Sequence, residues 1–242
     1  MNTSHRKIEL FWARLGILFN CAPLPRAPDI ERLLLETARQ LPSNARLFPL
    51  VVTWLAKFGV CVAKHRLRGL ALRELELVHR PALGLLLESA IELGAPRDLA
   101  IVCEVCRPAT EPRPLFDVYR EAPSLAALAH KNASDVSARW GLWTPPIDLQ
   151  ADALRNTSWL LARNPELRPR FIRKGDLRCS ILETLRLDLD GVAGSESELA
   201  RLCAASRAAV KKSLEALIAE GELVSLPGQT PREGHPVRLV AA

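Results

Sequence analysis

The sequence has few aromatic residues and no long uninterrupted apolar run. Of its 242 residues, one is Tyr, one is Met and 5% are aromatic, whereas Leu, Ala and Arg are abundant. This composition favours helices and argues against an all-β fold. The most apolar stretch, residues 47–63, is interrupted by Lys57 and is shorter than the roughly 18 to 20 residues that span a bilayer. We therefore expect no membrane segment and interpret this stretch as a helix buried on most sides.

Motifs for catalysis are also absent. The chain has no P-loop, no G-x-G-x-x-G, no G-x-S-x-G and no H-E-x-x-H motif, and its five His residues are scattered. Asp188 and Asp190 form a carboxylate pair, which we interpret as part of a solvated turn rather than a metal site. We predict that the protein is not an enzyme and uses no cofactor. Catalytic residues dispersed along the sequence stay an alternative.

Cysteine usage argues against a zinc site. Among six Cys residues, Cys103 and Cys106 form a lone C-x-x-C, and no second pair follows to complete four ligands. We interpret both as small apolar side chains inside the fold, with metal binding or redox sensing as the alternative. The N-terminus lacks the pattern of a secretory signal peptide. The sequence therefore predicts a cytoplasmic protein with reduced thiols.

Residues 1–162 are predicted to form an irregular helical domain that dimerises, senses a ligand or holds a partner protein. Asp29 is placed to cap one of its helices, Pro81 lies in the first turn of another, and Gly94 is expected to end that one. The apolar periodicity indicates helices over residues 4–20, 30–41, 82–93 and 98–106.

Two further stretches interrupt this helical pattern. Residues 107–114 contain three prolines and are predicted to be a loop. Trp140 and Trp143 precede a Pro-Pro break. We interpret these tryptophans as anchors that hold a loop on the core, with an exposed partner-binding site as the alternative.

Residues 163–175 are predicted to be a basic linker between two domains. Two interpretations stay open: the segment approaches DNA and lies along its phosphates, or it is an ordinary solvated linker. Its basic residues are Arg163, Arg168, Arg170, Arg173 and Lys174.

Residues 176–242 carry helix and cap signals in close succession. Ser195 and Glu198 have the S-x-x-E spacing of a capping box, in which two side chains satisfy free amides at a helix start. This predicts a short helix that ends at Cys203. A turn at Ala204 and Ala205 would follow. The preceding helix is predicted from one apolar face, which consists of Ile181, Leu182 and Leu185.

A longer helix is predicted over residues 207–220. Ser206 is placed to cap its start, and Gly221 is expected to end it in the left-handed conformation. Two strand-like runs, residues 223–226 and 237–240, enclose a loop rich in Pro and Gly. The buried stripe of this helix is predicted at Val210, Leu214, Leu217 and Ile218.

This order of elements resembles the winged helix-turn-helix superfamily of bacterial transcription regulators. The resemblance covers about the last third of the chain and rests on the pattern E-L-A-R-L followed by S-R-A-A-V-K-K-S-L-E-A-L-I-A-E-G-E-L-V. It implies a mainly α protein whose C-terminal domain has three helices plus a β-hairpin wing, with one helix placed in the major groove of DNA. Some winged helices bind proteins, RNA or their own dimer mate, so the fold alone does not fix function.

The candidate DNA-binding residues lie on the longer helix, in the wing and in the basic segment. Arg can grip guanine with two hydrogen bonds, Lys reaches guanine or phosphate, and a small Ala allows close approach. Plain solvation is the alternative for each of them. The candidates are Ser206, Arg207, Ala208, Lys211 and Lys212 in the helix, Arg232, His235 and Arg238 in the wing, and Arg170, Arg173 and Lys174 upstream.

We therefore predict a sequence-specific DNA-binding protein, acting as a transcriptional regulator. Its partners would be double-stranded DNA and a second copy in a homodimer, because one winged helix reads only a short site. The formal charge of +6 suits an anionic partner, but most of the excess lies before the C-terminal third. The alternatives are a protein-interaction adaptor or antitoxin-like component, in which the winged helix is an assembly surface, and an RNA-binding module. A protein partner held by the N-terminal domain is a further alternative.

Overall fold

The computed structural model describes residues 3–22, 24–226 and 236–240. Within these ranges the protein is mainly α-helical, with short strands near residue 113, near residue 142 and at the C-terminal end. Ten α-helices of the described residues precede residue 173: α1 (Thr3–Arg14), α2 (Ile30–Gln40), α3 (Leu47–Phe58), α4 (Lys64–Glu74), α5 (Arg80–Glu92), α6 (Ala100–Cys103), α7 (Pro123–Lys131), α8 (Asp135–Arg139), α9 (Thr157–Arg163) and α10 (Arg168–Ile172).

Three helices and two small sheets complete the described part of the chain. The helices are α11 (Leu177–Asp188), α12 (Glu196–Leu202) and α13 (Arg207–Ala219). The strands are β1 (Arg113–Pro114), β2 (Leu142–Trp143), β3 (Val192–Ala193), β4 (Leu223–Ser225) and β5 (Val237–Leu239).

The apolar stretch after residue 47 forms α3, the buried centre of the first hydrophobic core. Trp54 on α3 is fully buried and donates from its indole nitrogen to the carbonyl of Leu15 at 2.9 Å. The Trp12 ring meets the Trp54 ring edge-on, and Trp12 donates to the Thr37 hydroxyl at 3.0 Å. Buried indole N–H groups need such partners. The expectation of a helix buried on most sides is confirmed, and none of the described helices is long and apolar enough to cross a bilayer.

Several local predictions in the N-terminal part hold. Asp29 caps α2 by accepting from the amide of Arg32 at 3.2 Å, Pro81 lies in the first turn of α5, and Gly94 follows α5 with φ +106°. Trp140 is 5% exposed and packs on Gly84, where a Cβ would lie 2.2 Å from the indole ring. Trp140 therefore anchors its loop onto α5.

Three boundaries differ from the prediction. The first helix ends at Arg14 rather than continuing to residue 20, because Gly16 takes φ +94° and turns the chain. The helix predicted over residues 98–106 begins as a 3-10 turn and is α-helical only in α6. The proline loop over residues 107–114 ends in β1, which pairs in parallel with β2. Strands of two residues are too short to show an alternating apolar pattern, so the sequence could not predict this pairing.

The C-terminal residues form a second hydrophobic core. Side chains of α11, α12 and α13 pack together beneath an antiparallel sheet with strand order β3-β5-β4. Val210, Leu214 and Leu217 are buried as predicted, whereas Ile218 is 39% exposed. The predicted stripe is therefore wrong at Ile218, which lies in the last turn of α13, near the edge of the core.

Residues 163–175 are mostly helical rather than an open linker. They contain a 3-10 turn, Pro165–Leu167, and α10. Asn164 is fully buried, and its side-chain oxygen accepts from Nε of Arg14 at 2.8 Å. Gly175 has φ +58°, and a Cβ there would lie 1.9 Å from the carbonyl oxygen of Val62. The segment is thus packed closely against the N-terminal helices.

Candidate nucleic-acid interface

Helices α12 and α13 are joined by a short turn over residues 203–206, and we call this pair with its turn the helix-turn-helix. Ser195 caps α12 by accepting from the amide of Glu198 at 3.1 Å, as the S-x-x-E spacing predicts. The Glu198 carboxylate accepts from the amide of Gly194, at 2.9 Å, one residue before the position expected for a capping box. In the turn, Ala204 takes φ +46° and the amide of Ala205 donates to Ala200. The left-handed Ala204 and the Ala205 bond end α12 and direct the chain into α13.

The start and end of α13 follow the predicted cap signals. The Ser206 hydroxyl accepts from the amide of Ala209 at 3.2 Å, which leaves its O–H free to donate to a phosphate oxygen. Gly221 follows the helix with φ +75°, the left-handed C-terminal position that glycine favours. The two caps therefore set the start and the end of α13, and the residues at its start are exposed.

The predicted reading face of α13 is exposed. Arg207, Ala208, Lys211 and Lys212 are all exposed, whereas Val210 on the same helix is buried. None of the three cations forms an ion pair with a described residue. The amides at the start of α13 carry a partial positive charge that adds to these side chains. The N-terminal half of α13 therefore presents unneutralised positive charge.

Of the predicted wing residues, only Arg238 belongs to the described part of the chain. It lies on the central strand β5, directly opposite Val192 on β3 and Val224 on β4. Its side chain is exposed, whereas the neighbouring Val237 is 2% exposed and faces the core. Arg232 and His235 lie outside the described residues.

The three upstream candidates have different environments. Arg170 is 4% exposed, and its guanidinium lies 2.9 Å from Glu31 and 2.9 Å from Glu183. Burial opposes this charge, but the two carboxylates outweigh it and hold the pKa of Arg170 well above its ordinary value. A phosphate could reach Arg170 only if this cluster came apart. The assignment of Arg170 to DNA contact is therefore withdrawn.

The Arg173 side chain is also paired within the protein, whereas the Lys174 side chain has no ion-pair partner among the described residues. Arg173 lies 2.9 Å from Glu222 and 3.1 Å from Glu220, near the C-terminal end of α13. Lys174 is exposed with φ +49°, and no described carboxylate pairs with its ammonium group. Only Lys174 of the three stays available to an external anion.

Sequence reasoning missed a buried ionic cluster that joins the two hydrophobic cores. Arg66 on α4 is fully buried and donates to Asp29, Glu31 and Asp188 at distances from 2.6 to 2.9 Å. Asp188, which we expected in a solvated turn, is instead the last residue of α11 and 8% exposed at its side chain. With Arg170 and its partner Glu183, the cluster holds four carboxylates from distant segments around two buried guanidinium groups. Hydrophobic periodicity carries no information about this pairing.

Helix α4 also touches the turn between α12 and α13. Gly69 lies so close to the carbonyl of Leu202 that a Cβ would be 1.8 Å from its oxygen. Arg73 donates to the same carbonyl at 2.7 Å, and Arg68 donates to the carbonyl of Ala204 at 3.4 Å. The position of the helix-turn-helix is thus fixed by the N-terminal helices.

Burial governs the chemistry of the two thiols in the C-x-x-C pair. Burial raises the pKa of Cys103 and of Cys106 to about 12, so both are protonated at neutral pH. Cys106 is 5% exposed and Cys103 is half-buried, which fits their interpretation as apolar side chains. No group of three or more His, Cys, Asp or Glu side chains suited to a metal ion occurs within residues 3–22, 24–226 and 236–240.

Comparison of the chain with protein-family models, with curated proteins and with solved structures finds no match.

Proposed function

We propose that residues 176–242 form a winged helix-turn-helix that binds double-stranded DNA, and that the protein is a sequence-specific transcriptional regulator. One observation carries this proposal. The N-terminal half of α13, the second helix of the helix-turn-helix, exposes three cations that form no ion pair with a described residue: Arg207, Lys211 and Lys212. An α-helix with its side chains fits the major groove, which is about 12 Å wide. Base edges in this groove are the ligands that distinguish one sequence from another.

Different residues would serve different parts of the contact. Arg207 is placed for guanine, while Lys211 and Lys212 reach guanine or phosphate. The free O–H of Ser206, the ammonium of Lys174 and the guanidinium of Arg238 would position the protein on the backbone. Ala208 would allow α13 to approach the base edges. Arg232 and His235 stay candidates from the sequence.

A homodimer is proposed as the binding form. One helix reads only a few base pairs, and a two-fold pair of protomers doubles the site with a spacing set by the helical turn of DNA. Sedimentation equilibrium of the protein alone and with DNA tests this proposal. A monomer that binds DNA with one-to-one stoichiometry contradicts it.

The deciding experiment is a fluorescence-anisotropy titration with the duplex upstream of the protein's own gene and with a scrambled duplex, at two salt concentrations. We expect tight binding to one duplex that persists at higher salt. The double variant Arg207→Ala, Lys211→Ala should lose this binding while its circular dichroism spectrum is unchanged. The matched control is Arg97→Ala, Lys131→Ala, which removes two exposed cations from the N-terminal helices and should bind normally. Equal, salt-sensitive binding of both duplexes would overturn the proposal.

A second candidate function, protein-interaction adaptor, is favoured by the outer face of the sheet. Val192 and Val224 are 42% and 38% exposed and flank Arg238 on this face. Exposed apolar side chains around an Arg resemble the centre of a protein interface. If neither duplex is preferred, a pull-down with the parent protein and with Val224→Asp is the next test. A partner that binds the parent and not the variant would establish this alternative.

A further inference from the structure

A cleft opens beside the C-terminal end of α4, away from α13. It has a volume of about 730 Å³ and lies between the end of α4, the start of α5 and the loop over residues 104–111. This size falls in the range of small-molecule sites, roughly 300 to 1,000 Å³. Three neighbouring apolar side chains lie open to it: Leu72, Leu77 and Val78 are 44%, 74% and 57% exposed. Clustered apolar exposure of this kind marks binding surfaces.

The cleft is also rich in unneutralised Arg. Arg80, Arg107 and Arg113 line it, and none of them forms an ion pair with a described residue. Of its two carboxylates, Glu104 is paired with Arg68 at 3.3 Å, which leaves Glu111 as the one free negative charge among the described lining residues. The cleft therefore carries net positive charge next to Leu72, Leu77 and Val78, which form its apolar floor.

Arg113 is the Arg of this cleft whose guanidinium is left partly unsatisfied within the protein. Its Nε is buried and has no hydrogen-bond acceptor. A buried donor without an acceptor costs about 1 to 3 kcal/mol, and more when the group is charged. Arg113 also lines a second, smaller cleft of about 310 Å³, which adjoins the first at Val78. Arg113 thus lies where an anion in either cleft would be attracted by its charge.

We propose that this cleft binds a small amphipathic organic anion. Its carboxylate or similar group would contact Arg113 and Arg107, and its apolar body would cover Leu72, Leu77 and Val78. A cation is disfavoured by the three Arg residues, and a fully polar anion would leave the apolar floor uncovered.

The same geometry connects the cleft to the helix-turn-helix. Leu72 lies one helical turn after Gly69, whose backbone touches the carbonyl of Leu202. Arg80 donates to the carbonyls of Leu72 and Leu75 at 3.0 and 3.1 Å, which ties the end of α4 to the cleft. We infer that occupancy of the cleft changes the position of α4 and, through it, of the turn between α12 and α13. The consequence for DNA affinity rests on the proposed function, whereas ligand binding does not.

Binding is tested on the full chain with 8-anilino-1-naphthalenesulfonate, a fluorescent probe that combines aromatic rings with a sulfonate. We expect saturable binding that decanoate displaces and decyltrimethylammonium, which has the same tail and the opposite charge, does not. Leu77→Asp and Arg107→Gln change exposed side chains and should each weaken probe binding at least tenfold. Ile172→Asp and Arg97→Gln alter equally exposed residues elsewhere and should have no effect. Equal displacement by both competitors, or unchanged binding in the cleft variants, would overturn the proposal.

A second copy of the chain is the competing occupant of the apolar floor. If Leu77→Asp converts a dimer into a monomer in sedimentation, and probe binding is unchanged, the cleft is a protein interface and the ligand proposal is wrong. A variant that loses the probe and keeps its oligomeric state supports the ligand.

Coupling is tested by amide hydrogen exchange with and without decanoate. Exchange over residues 202–206 should change in the parent protein and not in Leu77→Asp. If decanoate binds without this change, the coupling is wrong and the binding site stands. DNA affinity with and without decanoate is measured in parallel. Absence of DNA binding in every sample would overturn the proposed function alone, because hydrogen exchange needs no DNA.

Discussion

Arg170 and Glu31 lie 2.9 Å apart although 139 residues separate them in sequence. Their side chains are 4% and 0% exposed. Arg170 follows the N-terminal helices, Glu31 belongs to α2, and Glu183 of α11 closes the group from the other side. Together with Glu183, the pair therefore joins α2, α10 and α11, in a place where each charge depends on its partners.

Removal of one member of this pair should lower the free energy of unfolding substantially. Arg170→Ala leaves Glu31 and Glu183 buried without their shared cation, and breaking a buried ion pair in this way costs about 3 to 5 kcal/mol. Urea unfolding measures the change. Arg168→Ala, on the same helix and exposed without an ion pair, is the matched control and should stay within about 0.5 kcal/mol of the parent. Similar stability of the two variants would show that the cluster does not hold the protein together.

The Asp29 carboxylate should make stability depend on pH in the acid range. Burial raises its pKa, but hydrogen bonds and charge from Arg66 outweigh this and hold the pKa of Asp29 below its ordinary value of 3.8. A carboxylate with a lowered folded pKa stabilises the protein above its unfolded pKa, and the contribution is lost as pH falls through the folded pKa. We therefore expect acidification below about pH 4 to weaken the fold through this group.

Asp29→Asn isolates that effect because Asn still caps a helix. The parent should be more stable than the variant at pH 7, by an amount that is constant down to about pH 5 and shrinks below pH 4. Urea midpoints at pH 7, 5, 4 and 3 give this difference, in which the titration of other carboxylates largely cancels. A difference that grows on acidification would contradict the assignment.

Gly69 is predicted to be intolerant of a methyl group. In the interior of a helix, Gly→Ala ordinarily stabilises by up to about 1 kcal/mol. Here the new Cβ would lie 1.8 Å from the carbonyl oxygen of Leu202, so α4 and α12 would have to move apart. We expect Gly69→Ala to destabilise by about 1 to 3 kcal/mol instead, and to increase hydrogen exchange over residues 202–206.

Gly194→Ala is the control for this substitution. Its Cβ would meet only the carboxylate of Glu198, at an ordinary contact distance of 3.6 Å. Thermal unfolding of both variants should separate them clearly. If Gly69→Ala is as stable as Gly194→Ala, the close approach of α4 to α12 does not exist in solution.

Local signals in the sequence were sufficient to predict the ends of α13. They were insufficient to predict how the C-terminal helices pack against the rest of the protein. Ser206 and Gly221 act within a few residues of their own positions, so their types and spacing predict both ends of α13. Arg170 and Arg173 look like phosphate ligands in sequence because a run of Arg reveals only charge. Their real partners, Glu31 and Glu222, lie 139 and 49 residues away, and only the fold brings them together. The cleft beside α4 was invisible for the same reason, since its apolar and Arg residues come from three separate segments.

Salt dependence of DNA binding distinguishes the roles proposed for the cations of α13. Each neutralised phosphate contributes about 0.9 to the slope of log K against log salt. If Lys212 contacts phosphate, Lys212→Ala should weaken binding to every duplex equally and lower the slope by about 0.9. If Arg207 holds a guanine, Arg207→Ala should instead cost about 1 to 3 kcal/mol on the specific duplex and little on the scrambled one. Anisotropy titrations of both variants at four salt concentrations measure the two quantities together. Slopes and preferences equal to those of the parent in both variants would mean that α13 does not face the DNA.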